Sequence, residues 1–94
     1  MTSQAEKIAQ FRALHAGPTF VIANAWDGGT ACLLAGLGFP AIATSSGAAA
    51  GTLARRDGQI SRDEAIAHAA MVAGATALPV SADLEGGFAH EPDG

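Results

Sequence analysis

Three groups of polar residues interrupt a chain otherwise rich in alanine and glycine: Asn24, Trp26 and Asp27; Ser45, Ser46 and Gly47, with Asp57 shortly after; and Asp83 with Glu85. Their types point to two kinds of chemistry. Carboxylates gathered in a small volume repel one another unless a cation sits among them. An oxygen-only donor set favours Mg²⁺, with Mn²⁺ as the alternative, and an ion held by few protein ligands keeps waters that a substrate can displace. The Ser45-Ser46-Gly47 turn offers hydroxyls and backbone N–H groups with no side chain at Gly47 to block approach, which suits a carboxylate or phosphoryl group. Asp83 and Glu85 stand two apart, so a strand continuing through them would point both to one side.

These groups need elements to bring them together. Ser3-Gln-Ala-Glu6 reads as a capping box that opens a helix over Ser3–His15, with Ile8, Phe11 and Leu14 as its apolar stripe and Gly17-Pro18 as its stop. Thr19–Ala23 is a short continuous apolar run and reads as a strand buried on both faces. Asp27 is as well suited to capping a helix through Thr30–Leu37 as to chemistry. Ala41–Thr44 is a second buried strand, Ala48–Leu53 a short helix, and Asp57-Gly58 a common turn dipeptide. Ser61-Arg-Asp-Glu64 is a second capping box. It announces a helix to about Thr76, with Ile66, Ala69, Ala70 and Ala73 on one face and Glu64 with His68 on another. Leu78–Ala82 completes a third strand. Alternating helices and buried strands are the grammar of a parallel α/β sheet, in which ligands bind where the C-terminal ends of the strands share a rim. All three polar groups fall on that rim.

Composition excludes other classes. With 94 residues, 49% hydrophobic and 15% charged, the chain is one small domain rather than a disordered tail, and a net charge of -4 gives no basic face for nucleic acid. No apolar stretch reaches the roughly 20 residues of a membrane helix. No secretory signal is visible at the start, so a cytoplasmic location is expected. Tyr is absent and aromatics are 5%, leaving few large side chains for an independent core and suiting a place inside a larger body. The single cysteine, Cys32, reads as a buried small hydrophobe. His15, His68 and His90 lack ligand spacing and read as surface or cap residues, and Arg55 and Arg56 as a solvated face. A rival of another class is a non-catalytic α/β ligand-binding module, although no Gly-x-Gly-x-x-Gly follows the first strand.

Asn24-Ala-Trp-Asp27 with Ala31, Gly38-Phe-Pro-Ala-Ile42, Thr44-Ser-Ser-Gly47, Arg56-Asp-Gly58 ahead of a helix, and Leu78 to Phe88 occur in order. Together they resemble the amino-terminal part of the isocitrate lyase and phosphoenolpyruvate mutase superfamily, from about Phe11 to Phe88. The resemblance implies a (β/α)8 TIM barrel, of which residues 1–94 would form a single partial domain: the amino-terminal helix and the first three parallel strands. It also implies Mg²⁺-dependent lyase-type cleavage or formation of C–C or C–P bonds beside a carboxylate, through a metal-stabilised enolate. The substrates would be small keto or hydroxy acids resembling oxaloacetate, phosphonopyruvate or 2-methylisocitrate. By position, Ser45, Ser46 and Gly47 would bind the substrate carboxylate; Trp26 and Asp27 match a motif near the site, and Trp26 would belong to the substrate-binding residues. Asp83 would be the main metal ligand, mostly through water, with Asp57 and Glu85 in its acidic surroundings. Many members carry an aspartate and a threonine where this chain has Glu85 and Gly86, so no single substrate follows. A barrel takes about 250 residues. The chain therefore reads as a partial sequence, inactive alone, whose parent is a cytoplasmic enzyme, a homo-oligomer (often a tetramer in this family), with the catalytic acid or base outside these residues.

Overall fold

The computed structural model describes residues 3–87, so the expectation for His90 lies outside the described residues. In chain order the elements are α1 (Gln4–Ala16), β1 (Ile22–Asn24), α2 (Gly28–Gly36), β2 (Ala41–Ala43), α3 (Ser46–Thr52), α4 (Arg62–Gly74) and β3 (Val80–Ser81). Each helix begins at a side chain that satisfies amides its first turn would leave unbonded. Asp27 Oδ1 accepts from Thr30 N at 2.8 Å, and Ser45 Oγ from Ala48 N at 3.4 Å. Ser61 and Glu64 form the full reciprocal box, at 3.2 and 2.9 Å. The box expected at α1 is only half formed: Ser3 Oγ accepts from Glu6 N, but the Glu6 carboxylate takes the Ser3 hydroxyl as its donor.

The three strands form one parallel sheet in the order β1-β2-β3, with Ala23 opposite Ile42 and Ile42 opposite Val80. The central strand is the buried one, with Ala41 and Ile42 fully enclosed. The expectation that β1 is buried on both faces fails, since Val21 is 65% and Ile22 37% exposed. The cause is its place in the sheet: among the described residues β1 has a neighbour on one side only, and an apolar run carries no mark of which strand is outermost. The third strand pairs over Val80–Ser81 only, shorter than the apolar run suggests.

The core is built from thin side chains. Ala25, Ala31, Ile42 and Val72 form its centre, with Leu34, Ala75, Leu78 and Val80 packed around them. Gly28 lets α2 and α4 come close, since a Cβ there would stand 3.3 Å from Ala75 Cβ. A second cluster, Ala49, Ala50, Ile60 and Ala65, joins α3 to α4. The inward face of α4 carries Ala65, His68 and Val72. Ile66, Ala69, Ala70 and Ala73 do share a face, but it borders a groove of about 680 Å³ shared with Lys7, Ile8 and Phe11 of α1. There Lys7 Nζ donates to Ala73 O at 2.6 Å. Two further expectations are corrected. His68 is not a surface residue but 8% exposed. Cys32 is not buried; it stands exposed on α2, its thiol 3.1 Å from the Ala75 carbonyl. No helix among the described residues is long and apolar enough to cross a membrane.

Candidate functional site

The rim is organised from the end of β2 outward. Thr44, buried just past the strand, donates its N–H to Ser81 O at 2.8 Å and accepts Asp83 N–H on its Oγ1 at 2.9 Å. This hydroxyl fixes the backbone of Asp83. The exposed Asp83 carboxylate in turn accepts Glu85 N–H on Oδ1 at 3.0 Å and Ser46 N–H on Oδ2 at 3.3 Å. These bonds, first from Glu85 and then from Ser46, hold its pKa below the usual aspartate value, so it is ionised at neutral pH.

The chain does not continue as a strand through Asp83 and Glu85. Pairing ends at Ser81, and the backbone folds around the Asp83 carboxylate as an Asx turn with Glu85 at φ +54. Strand alternation therefore does not align the two carboxylates. Glu85 instead reaches toward the neighbouring loop, its Oε1 3.9 Å from where a Cβ on Gly58 would lie. That loop is a turn closed by Gln59 N–H to Arg56 O at 3.0 Å, with Gly58 at φ +85, and it presents Asp57. Asp57 Oδ2 comes within 3.7 Å of a Cβ position on Gly47. Asp83, Asp57, Gly58 and Glu85 thus gather beside Ser46-Gly47 at the start of α3.

Among the described residues no three His, Cys, Asp or Glu side chains stand close enough to hold one metal ion directly. The expectation of three carboxylates sharing one ion directly is corrected accordingly: Asp83 is tied to the Ser46 and Glu85 amides, while Asp57 lies beside Gly47 and Glu85 beside Gly58. The donor chemistry still suits a hydrated hard cation. Mg²⁺ dehydrates reluctantly and is held through one or two carboxylates with several waters retained.

The Ser45-Ser46-Gly47 segment is the first turn of α3, not a free loop. Ser45 Oγ is occupied as the cap for Ala48 N, Ser45 O accepts from Ala49 N, and Ser46 N is given to Asp83. The Gly47 N–H has no partner among the described residues. Trp26 is 56% exposed at the rim, and its Cζ3 lies 4.0 Å from a Cβ position on Gly51 of α3. Asp27 is spent on capping: Oδ1 accepts both the Thr30 hydroxyl at 2.6 Å and the Thr30 amide, which hold its pKa below the ordinary value. Arg55 is not simply solvated; its guanidinium pairs with Glu64 at the start of α4 and ties the loop bearing Asp57 to that helix. Sequence reasoning missed Thr44 as an anchor, although a hydroxyl on the residue closing a buried strand is a signal for it. It also missed His68, whose position on the Ala65-His68-Val72 stripe marks it as inward-facing.

Parallel strands joined by helical crossovers, with polar residues gathered at their C-terminal ends, define this chain as a segment of a (β/α)8 barrel. Residues 11–94 match the family model of phosphoenolpyruvate phosphomutase, and the chain belongs to that family, within the phosphoenolpyruvate mutase and isocitrate lyase superfamily. A provisionally assigned lyase/mutase from Burkholderia cenocepacia J2315 is similar in structure, with a TM-score of 0.89 and 47% identity over 96% of this chain and 33% of that one. A 2,3-dimethylmalate lyase of the same superfamily matches with a TM-score of 0.75 and 25% identity over 88% of this chain and 30% of its own. The chain spans about a third of the length of these solved structures. No curated protein matches it significantly.

Proposed function

We propose that the chain supplies the cation- and carboxylate-binding part of a Mg²⁺-dependent lyase. The reaction would cleave a C–C or C–P bond beside a carboxylate in a small keto or hydroxy acid. The gathering of Asp83, Asp57 and Glu85 beside the α3 N-terminus carries this reading. Ionised Asp83 would hold the hydrated ion mostly through water, with Asp57 and Glu85 adding negative charge around it. The Gly47 N–H, without a partner among the described residues and beside the Ser45 and Ser46 hydroxyls, would orient a substrate carboxylate, and Trp26 would wall the mouth against water. When bound, the cation would supply Lewis-acid polarisation of the substrate's keto or hydroxy oxygen. The class of substrate is supported by the superfamily member that acts on 2,3-dimethylmalate, a small hydroxy dicarboxylate. The acid or base would come from the remaining barrel, so the 94 residues alone would bind without turnover.

Calorimetric titration of oxalate, a planar dicarboxylate mimic of the substrate end, tests this. Oxalate should bind in Mg²⁺ and not in EDTA. Asp83→Asn should weaken that binding at least tenfold with far-UV circular dichroism unchanged, and the unsubstituted chain should not consume oxaloacetate faster than Mg²⁺ in buffer does. Oxalate binding that ignores Mg²⁺, or no binding at all, would refute the reading. A metal-independent ligand would favour the non-catalytic module.

A further inference from the structure

We infer that His68 is a positioning residue that sets Trp26 at the rim, a role that rests on the functional reading above. His68 lies on the inward face of α4, 8% exposed, and its Nε2 is 2.7 Å from the backbone carbonyl of Trp26, 42 residues earlier. A carbonyl can only accept, so Nε2 carries the proton and donates. The bond completes a three-point clamp on the segment that leaves β1. Ala25 N–H is bound to Ala43 O at 2.9 Å, Trp26 O to His68, and Asp27 to Thr30. Between the first and third points only the Trp26 peptide is left to be placed, and the imidazole places it. The indole projects from this clamped residue toward Gly51 on α3, the helix whose first turn offers the Gly47 amide. His68 also follows Ala65, which packs in the cluster joining α3 to α4. The imidazole thus links α4, which packs against α3, to the residue whose indole lies beside Gly51 near the end of α3, and it touches no substrate itself.

Trp26 is the sole tryptophan, so its fluorescence reports the clamp directly. His68→Leu keeps apolar bulk but removes the donor, whereas His68→Gln places an amide donor near the Nε2 position. His68→Leu should give a red-shifted, more acrylamide-quenchable emission and about tenfold weaker oxalate binding in Mg²⁺, the scale of one lost buried hydrogen bond. His68→Gln should restore both to within about twofold of the unsubstituted chain. A folded His68→Leu chain with unchanged emission and unchanged oxalate affinity would overturn the inference. Long-range ¹H–¹⁵N correlation on the unsubstituted chain decides it even where a variant does not fold: the Nε2–H tautomer is expected, and the Nδ1–H tautomer would overturn it. If the unsubstituted chain fails to bind oxalate at all, the functional reading falls while emission and tautomer still decide the clamp.

Discussion

Asp27, Glu64 and Asp83 are the carboxylates that the fold uses most heavily, and each is held below its ordinary pKa by donors: Thr30 for the first, Ser61 and then Arg55 for the second, Glu85 and then Ser46 for the third. Lowered folded-state values mean that the unfolded chain binds more protons as acid is added. The stability these groups contribute is full above the ordinary carboxylate values of about 4 and is lost as pH falls through the lower folded values. Thr30→Val isolates one case, removing the hydroxyl that chiefly lowers Asp27. Urea midpoints should show this variant less stable than the unsubstituted chain at pH 7, with the gap closing below about pH 4. A gap that stays constant down to pH 3 would deny Asp27 that role. Residue types alone located Asp57, Asp83 and the serines at one rim, since helical crossovers in a parallel sheet force that. They could not show that Asp83 turns the chain upon itself, because an Asx turn competes with strand continuation through bonds visible only once Thr44 and Ser46 are in place.

The short helix α3 sets two requirements against each other at Gly47. A methyl group there would raise helix propensity by about 1 kcal/mol and would meet Asp57 Oδ2 at an ordinary 3.7 Å, so the fold accommodates it. The same methyl would stand beside the one amide of the first turn that has no partner among the described residues, the amide proposed to meet a substrate carboxylate. Gly47→Ala is therefore expected to raise the Tm by a few degrees while weakening oxalate binding in Mg²⁺ at least tenfold. Calorimetry of both quantities checks it, and unchanged oxalate affinity would remove Gly47 from the site. Helix starts were legible because Ser45, Ser61 and Asp27 announce themselves chemically. Strand burial was not: Thr19–Ala23 and Ala41–Thr44 look alike as apolar runs, yet among the described strands one is outermost and the other central. That difference is set by pairing order, a property of the whole sheet.

Among the described residues β1 and β3 stand at the margins of a three-stranded parallel sheet, leaving apolar surface that further layers would cover. Val21, Leu33 and Leu37 are among the exposed large side chains, and the similar solved structures are about three times as long. Unpaired strand margins template association. Sedimentation velocity should show the 94-residue chain associating with rising concentration, and Val21→Lys should shift it toward monomer. A monomer throughout the micromolar range would contradict this. Scarce aromatic residues had already signalled a body larger than itself. The bonds that tie the rim reach far along the chain: Ser46 to Asp83, Thr44 to Asp83 and Trp26 to His68 span 37, 39 and 42 residues. Each must close a long loop before it contributes anything, whereas the helices are seeded by caps three residues from their partners. In refolding, the helices would form early and the rim would mature last.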